Sequence, residues 1–217
     1  APGVRPYIDQ IDTAIIPEAS LRLTQFLAGN LDSQGIVPAE LKRVRETYPD
    51  GTVYGVMSGY SVGIGFSGIE AGPWNDPRVR QAISLALDRD ALFESLYSPS
   101  DVAAAGLEAP EVKWHSHINL GFGGFGRDSR IDSTLKKYFG SGDRAQDIAD
   151  AKELLTAAGY PEGFTANYHY TKDYGANWTL HAELMQQMLS DIGVNAVAVV
   201  EPIRGDYYTK TFRGEFD

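Results

Sequence analysis

Three patterns in this chain carry residue types that could do chemistry. Gly59-Tyr60-Ser61-Val62-Gly63 matches G-x-S-x-G, the strand-to-helix turn that presents a nucleophilic serine. Gly63-x-Gly65-x-x-Gly68 and Gly121-x-Gly123-x-x-Gly126 match the glycine spacing that lets a backbone approach a pyrophosphate. His115 and His117 are spaced to share a strand face, where His169 or His181 could complete a metal shell. Each needs context to work. Residues IGFSGIEAGP follow Ser61 and are too rich in glycine for the helix that an elbow requires. Neither glycine pattern runs straight into a helix N-terminus, so neither offers the usual phosphate cradle. Two histidines fall short of the three or four ligands that zinc takes. Ser61 as a hydrolase nucleophile and a metal site at His115 and His117 stand as alternative readings. Without a supporting constellation, the sequence predicts no enzyme and no cofactor.

The elements around these patterns follow from periodicity and punctuation. Strands are expected over 11–16, 52–57 and 62–66. In the last, Val62, Ile64 and Phe66 alternate with Gly63 and Gly65 to give one bulky and one bare face. Helices are expected from Pro17 to Ala28 and from Pro38 to Tyr48. Asp76 is an N-cap and Pro77 suits the first helical position. Val79, Ala82, Ile83, Ala86 and Leu87 then form an apolar stripe. Asp88 caps a second helix over 89–97. Residues 98–128 read as a long irregular loop. Asp147 is expected to cap a helix ending at Gly159, followed by a strand over 164–170. An amphipathic helix over 178–192 and a strand over 194–200, apolar on both faces as a buried central strand would be, come next. A last helix runs over 204–212. The fold class is mixed α/β.

Composition limits the partners. The formal net charge of −10 argues against a nucleic-acid backbone as ligand. The chain has no cysteine, which removes disulfides, thiolate metal sites and a cysteine nucleophile. No apolar run reaches membrane-spanning length. The ends, Ala1-Pro2-Gly3 and Gly214-Glu215-Phe216-Asp217, read as those of a segment of a longer chain.

One long pattern remains. Pro73-Trp74-Asn75-Asp76-Pro77-Arg78-Val79-Arg80-Gln81-Ala82 continues into Ala86-Leu87-Asp88-Arg89. Before it stand Arg5-Pro6-Tyr7-Ile8-Asp9-Gln10-Ile11 and Phe26-Leu27-Ala28-Gly29-Asn30-Leu31-Asp32. After it stands Ala151-Lys152-Glu153-Leu154-Leu155-Thr156-Ala157-Ala158-Gly159-Tyr160. In order and content these blocks resemble the family 5 extracellular solute-binding proteins, the dipeptide, oligopeptide and nickel-type receptors of ABC importers. Asn30 departs from the family's usual glutamate.

The resemblance implies a partial type II periplasmic-binding-protein-like fold. Residues 1–57 would belong to the lobe that carries the chain termini. Residues 58–217 would be an incomplete second, ligand-closing lobe, with the glycine-rich stretch 53–68 as the crossover. It implies non-covalent capture of a peptide between the lobes and delivery to a membrane permease, with an oligosaccharide or metal chelate as other solutes. The location would be periplasmic or extracellular, with lipoprotein-type or signal-segment anchoring ahead of this stretch. Asp76, Arg78, Arg80, Asp88 and Arg89 become a structural signature, with Arg80 or Arg89 paired to acidic groups inside the lobe. The residue that holds a peptide's amino group would lie beyond Asp217. A severed lobe would also expose apolar surface and self-associate.

Clefts in α/β folds lie beyond the carboxyl ends of strands. That rule marks Tyr170, Tyr174, Asn177 and Trp178 after one strand, and Glu201, Arg204 and Tyr207 after the next, as ligand-facing. Trp114 and the 121–126 loop are further expected walls.

Overall fold

Asp76 starts the helix that organises the larger part of the protein. Its backbone is extended and its carboxylate accepts from the Arg78 N–H at 2.8 Å, with Pro77 behind it. Helix α3 (Pro77–Ala86) buries Val79, Ala82, Ile83, Leu85 and Ala86. It stops where Leu87 turns extended, and Asp88 caps α4 (Arg89–Tyr97) by accepting from the N–H groups of Asp90 and Ala91 at 3.1 and 3.0 Å.

The computed structural model describes residues 7–54, 62–68, 71–109 and 133–216. These fall into two compact units. The first lies within Ala1–Thr52 and Asp101–Leu107, the second within Val53–Ser100 and Glu108–Asp217. In the first unit α1 (Ala19–Leu27) buries Leu23, and a short 3-10 turn at Pro38–Glu40 leads into α2 (Leu41–Thr47), which buries Leu41 and Val44. Tyr48 ties its segment to α1 by donating its hydroxyl to the Leu27 carbonyl at 2.9 Å. Helix α5 (Pro99–Ala104) follows α4.

The second unit continues with α6 (Ser133–Phe139), α7 (Arg144–Ala157), β1 (Phe164–Thr171), α8 (Ala176–Ser190), β2 (Val194–Glu201) and α9 (Arg204–Arg213). Strands β1 and β2 pair in parallel, Phe164 opposite Val194 through Thr171 opposite Glu201. Phe164, Val194 and Ala196 pack into the core that α3, α7 and α8 build from Val79, Ile83, Leu155 and Leu189. Tyr168 joins a second cluster of Leu92, Met185 and Met188 between α4 and α8. The strand starts are pinned by glycine. Gly163 has φ +76°, and a Cβ there would fall 1.9 Å from the Gly193 carbonyl oxygen.

Several expectations change. Residues 11–16 form no strand, and Ile11 and Ile15 are 78% and 92% exposed. An apolar run becomes a strand only when a partner completes its backbone hydrogen bonds, and none pairs with it among the described residues. Thr52–Tyr54 and 62–66 are likewise irregular, although Ile64 and Phe66 do turn into the core clusters as their alternation predicted. Helix α7 is capped by Asp143, not Asp147. Asp147 is buried in the first turn and accepts instead from the Ser141 N–H and hydroxyl and the Gly142 N–H. The stretch expected to be loop contains α5. Helix α8 begins at Ala176, two residues ahead of Trp178. Strand β2 is not buried on both faces, because β1 is its one neighbour among the described residues and Val197 and Val200 stay exposed.

Candidate ligand-binding cleft

The loops after β1 and β2 meet. Thr171 ends β1, and its hydroxyl accepts from the Asp173 N–H at 3.3 Å, which bends the chain into a 3-10 turn at Lys172–Tyr174. Gly175, at φ +99°, then releases α8. After β2, Ile203 stands at the N-cap of α9 with no side chain able to cap. Asp173 supplies that cap from the other loop, accepting from the Arg204 N–H at 2.8 Å. The two loops are therefore locked at the carboxyl ends of the strands.

This lock gathers an aromatic shelf. The Tyr174 ring lies 5.4 Å from Trp178 and 6.3 Å, edge-on, from Tyr208, and the Arg204 guanidinium carbon sits 5.6 Å from its centre. Tyr207 and Phe212 flank Tyr208 at 6.1 and 6.0 Å. Burial, with the Tyr208 hydroxyl beside it, pushes the Tyr174 phenol up to about 12. Tyr170 pairs with Tyr168 at 5.8 Å, and burial, then Glu183, raises its phenol too. Tyr168 is raised further by burial and donates its hydroxyl to Met185 Sδ at 3.4 Å. Tyr168, Tyr170, Tyr174, Trp178, His181 and Tyr207 line one cleft of about 230 Å³.

The strand-end expectations thus divide. Tyr174, Trp178 and Arg204 come together, and Tyr170 and Tyr207 line the cleft with Tyr174 and Trp178. Asn177 stands exposed on the first turn of α8, outside the ring contacts. Glu201 is not ligand-facing but buried, with its carboxylate accepting from Lys210 Nζ at 2.6 Å. Sequence reasoning missed Tyr208 and Asp173, and named His181 only as a metal ligand, not as a wall of this cleft. Tyr208 follows Tyr207 directly and had the same claim by position.

The arginine signature holds backbone. Arg78 forks onto Asp76 and reaches the Ala157 carbonyl at the end of α7. The Arg78 hydrogen bond holds the Asp76 carboxyl down to about 2. Arg80 was expected to meet a carboxylate, but its head donates to the carbonyls of Trp74 and Asn75. Arg89 donates to the carbonyls of Ser84 and Phe139 at 3.0 and 2.8 Å and to the Ser84 hydroxyl. Desolvation pulls its guanidinium down to about 10, against the charge of Asp147. Ser84 and Phe139 lie near the ends of α3 and α6, where backbone oxygens lack intrahelical partners.

No group of three metal-ligating side chains occurs among the described residues, so His169 and His181 form no metal shell there. Ser61, His115, His117, Trp114, the 121–126 loop and Asp217 lie outside the described residues. No helix among the described residues is long and apolar enough to cross a membrane. The cleft offers planar apolar faces and phenol hydroxyls, and the shelf beside it a guanidinium, the equipment of non-covalent binding.

Comparison with known proteins places this geometry. The family model of the bacterial extracellular solute-binding proteins, family 5 Middle, matches residues 2–217. The chain is 26% identical over 217 residues to the dipeptide-binding protein of Escherichia coli, covering 98% of this chain and 36% of that one. It is 24% identical over 165 residues to heme-binding protein A of Haemophilus influenzae, covering 76% and 26%. The unliganded open form of the periplasmic murein tripeptide binding protein MppA superposes with a TM-score of 0.59 at 23% identity, over 93% of this chain and 36% of that one. The chain thus spans about a third (36%) of the length of the first of these relatives. Its mixed α/β architecture is part of a type II periplasmic-binding-protein-like fold, and the chain belongs to the bacterial extracellular solute-binding proteins of family 5.

Proposed function

We propose that this chain is the ligand-closing part of an ABC importer receptor that captures a short peptide and delivers it to a membrane permease. The observation that carries this reading is the shelf of Tyr174, Trp178, Arg204 and Tyr208 at the carboxyl ends of β1 and β2. Its flat rings suit peptide side chains of varied shape, and its guanidinium suits a carbonyl or carboxylate oxygen. The name of one relative, a dipeptide-binding protein, supports a peptide as the solute. In this reading residues 1–57 belong to the lobe that carries the termini and 58–217 to the second lobe. The division of the structure near Thr52 supports a boundary in this region, although Asp101–Leu107 groups with the first unit. The receptor works in the periplasm or outside the cell, anchored by a segment ahead of this stretch.

Nuclear magnetic resonance titration of the isotope-labelled chain with di- and tripeptides tests the reading. Shift changes should gather in residues 170–178 and 201–208. Changes confined to residues 7–52, or none at millimolar peptide, would sink it.

A further inference from the structure

His181 is 6% exposed, stands on α8 under the shelf and lines the cleft. Its Nδ1 lies 3.2 Å from the Leu92 carbonyl oxygen and 3.1 Å from Ser95 Oγ. A carbonyl can only accept, so Nδ1 must carry the hydrogen. The Ser95 hydroxyl directs its own hydrogen to the same carbonyl at 2.7 Å and so receives from Nδ1 as well. Both neighbours therefore select one tautomer, in which Nε2 is a bare acceptor. Burial lowers the imidazole's affinity for a second proton, although the Leu92 bond works the other way. No protein group among the described residues bonds to Nε2. The same arrangement argues against a Ser95–His181 catalytic dyad, because the nitrogen facing the hydroxyl has no lone pair to take its proton.

The surroundings of His181 are aromatic and apolar. Trp178 meets it edge-on at 6.2 Å, and Ala182, Met185 and Tyr168 form nearby walls. At about 230 Å³ the cleft falls below the roughly 300–1,000 Å³ of pockets that take whole small ligands, so it admits one side chain. A planar apolar body fits these walls, and an N–H or O–H at its tip meets the Nε2 acceptor. A ring without a donor would leave that acceptor buried and unmatched. Sites built around a hydrogen bond reject such analogues strongly.

We propose that His181 Nε2 is a specificity-determining acceptor, selecting peptides with a tyrosine or tryptophan side chain over phenylalanine. This rests on the peptide-receptor reading above.

The test uses the folded chain with its histidine rings labelled with nitrogen isotope. The ring spectrum at neutral pH should show His181 with the hydrogen on Nδ1. Ala-Tyr-Ala and Ala-Trp-Ala should bind about tenfold tighter than Ala-Phe-Ala and shift the Nε2 resonance. In His181→Leu the three affinities should converge. Equal affinities for the tyrosine and phenylalanine peptides in the unaltered chain, an unmoved Nε2, or hydrogen on Nε2 would overturn the selection while leaving the receptor reading intact. Binding of none of the three would overturn both. The unaltered-chain measurements decide the matter even where the variant fails to fold.

Discussion

Lys210 Nζ stands 2.6 Å from Glu201 Oε1 and fastens α9 to the last residue of β2. The Lys210 hydrogen bond holds the Glu201 carboxyl below its ordinary range, burial opposes it, and His169, with Nδ1 at 3.6 Å, adds attraction when protonated. A depressed carboxylate stabilises the fold above its unfolded value and loses that contribution as pH falls through the folded one. Lys210→Met, which keeps the apolar stem, should therefore cost about 1 kcal/mol at neutral pH, the half-exposed ammonium limiting the effect. The gap should start to narrow near about pH 4, where glutamate protonates in the unfolded chain, and close only below the lowered value of folded Glu201. Urea unfolding at both pH values checks this. An equal loss at both would assign the effect to packing.

Arg89 bridges the end of α3 to α6 through the Ser84 and Phe139 carbonyls and lies over the Phe139 ring at 5.6 Å. Arg89→Ala should cost about 2–3 kcal/mol, because it strands several acceptors at once. Arg89→Lys should recover less than half, since an ammonium cannot reproduce the planar fork. Folded Arg89→Lys protein should keep its peptide affinity. A variant that is stable yet loses peptide would contradict the structural role.

Gly163 and Gly159 have similar φ values, +76° and +93°, but different surroundings. An alanine Cβ at Gly163 would strike the Gly193 carbonyl, whereas Gly159 faces open space. Gly159→Ala should cost about 1 kcal/mol, the strain of the left-handed region alone. Gly163→Ala should cost more than about 2 kcal/mol by adding the clash to that strain. Thermal melts of the two variants side by side decide whether the start of the parallel pair is pinned there.

Trp178 is 38% exposed and touches Tyr174 and His181 by its ring. Trp178→Ala should cost about 1 kcal/mol in stability and weaken peptide about tenfold. Arg204→Ala should weaken peptide by a similar factor, with little change in melting because Asp173 accepts from the Arg204 backbone, not its side chain. Titrations that match the unaltered chain for both variants would remove the shelf from the binding surface.

Parts of this were legible in the chain and parts were not. Asp76 with Pro77, and Asp88, announced two helix starts, and each cap bond lies within three residues. The strand-end rule pointed to Tyr174, Trp178 and Arg204, because parallel pairing puts successive loops on one edge. The sequence points to Asp147 where Asp143 is the cap, since both precede the same apolar stripe and only the path of Ser141 and Gly142 tells them apart. Ile11–Ile16 misled because strand propensity is realised only against a partner.

By itself the sequence determined the family, the capped starts of α3 and α4 and the aromatic content of the loops, all of which rest on local chemistry and on order along the chain. Tertiary structure alone decided three further matters: that Asp173 caps α9, that Glu201 turns inward to Lys210, and that Leu92 and Ser95 fix the tautomer of His181. Each depends on a donor and an acceptor separated by between nine and 89 residues. No periodicity encodes such pairs, because they exist only once packing has brought the elements together.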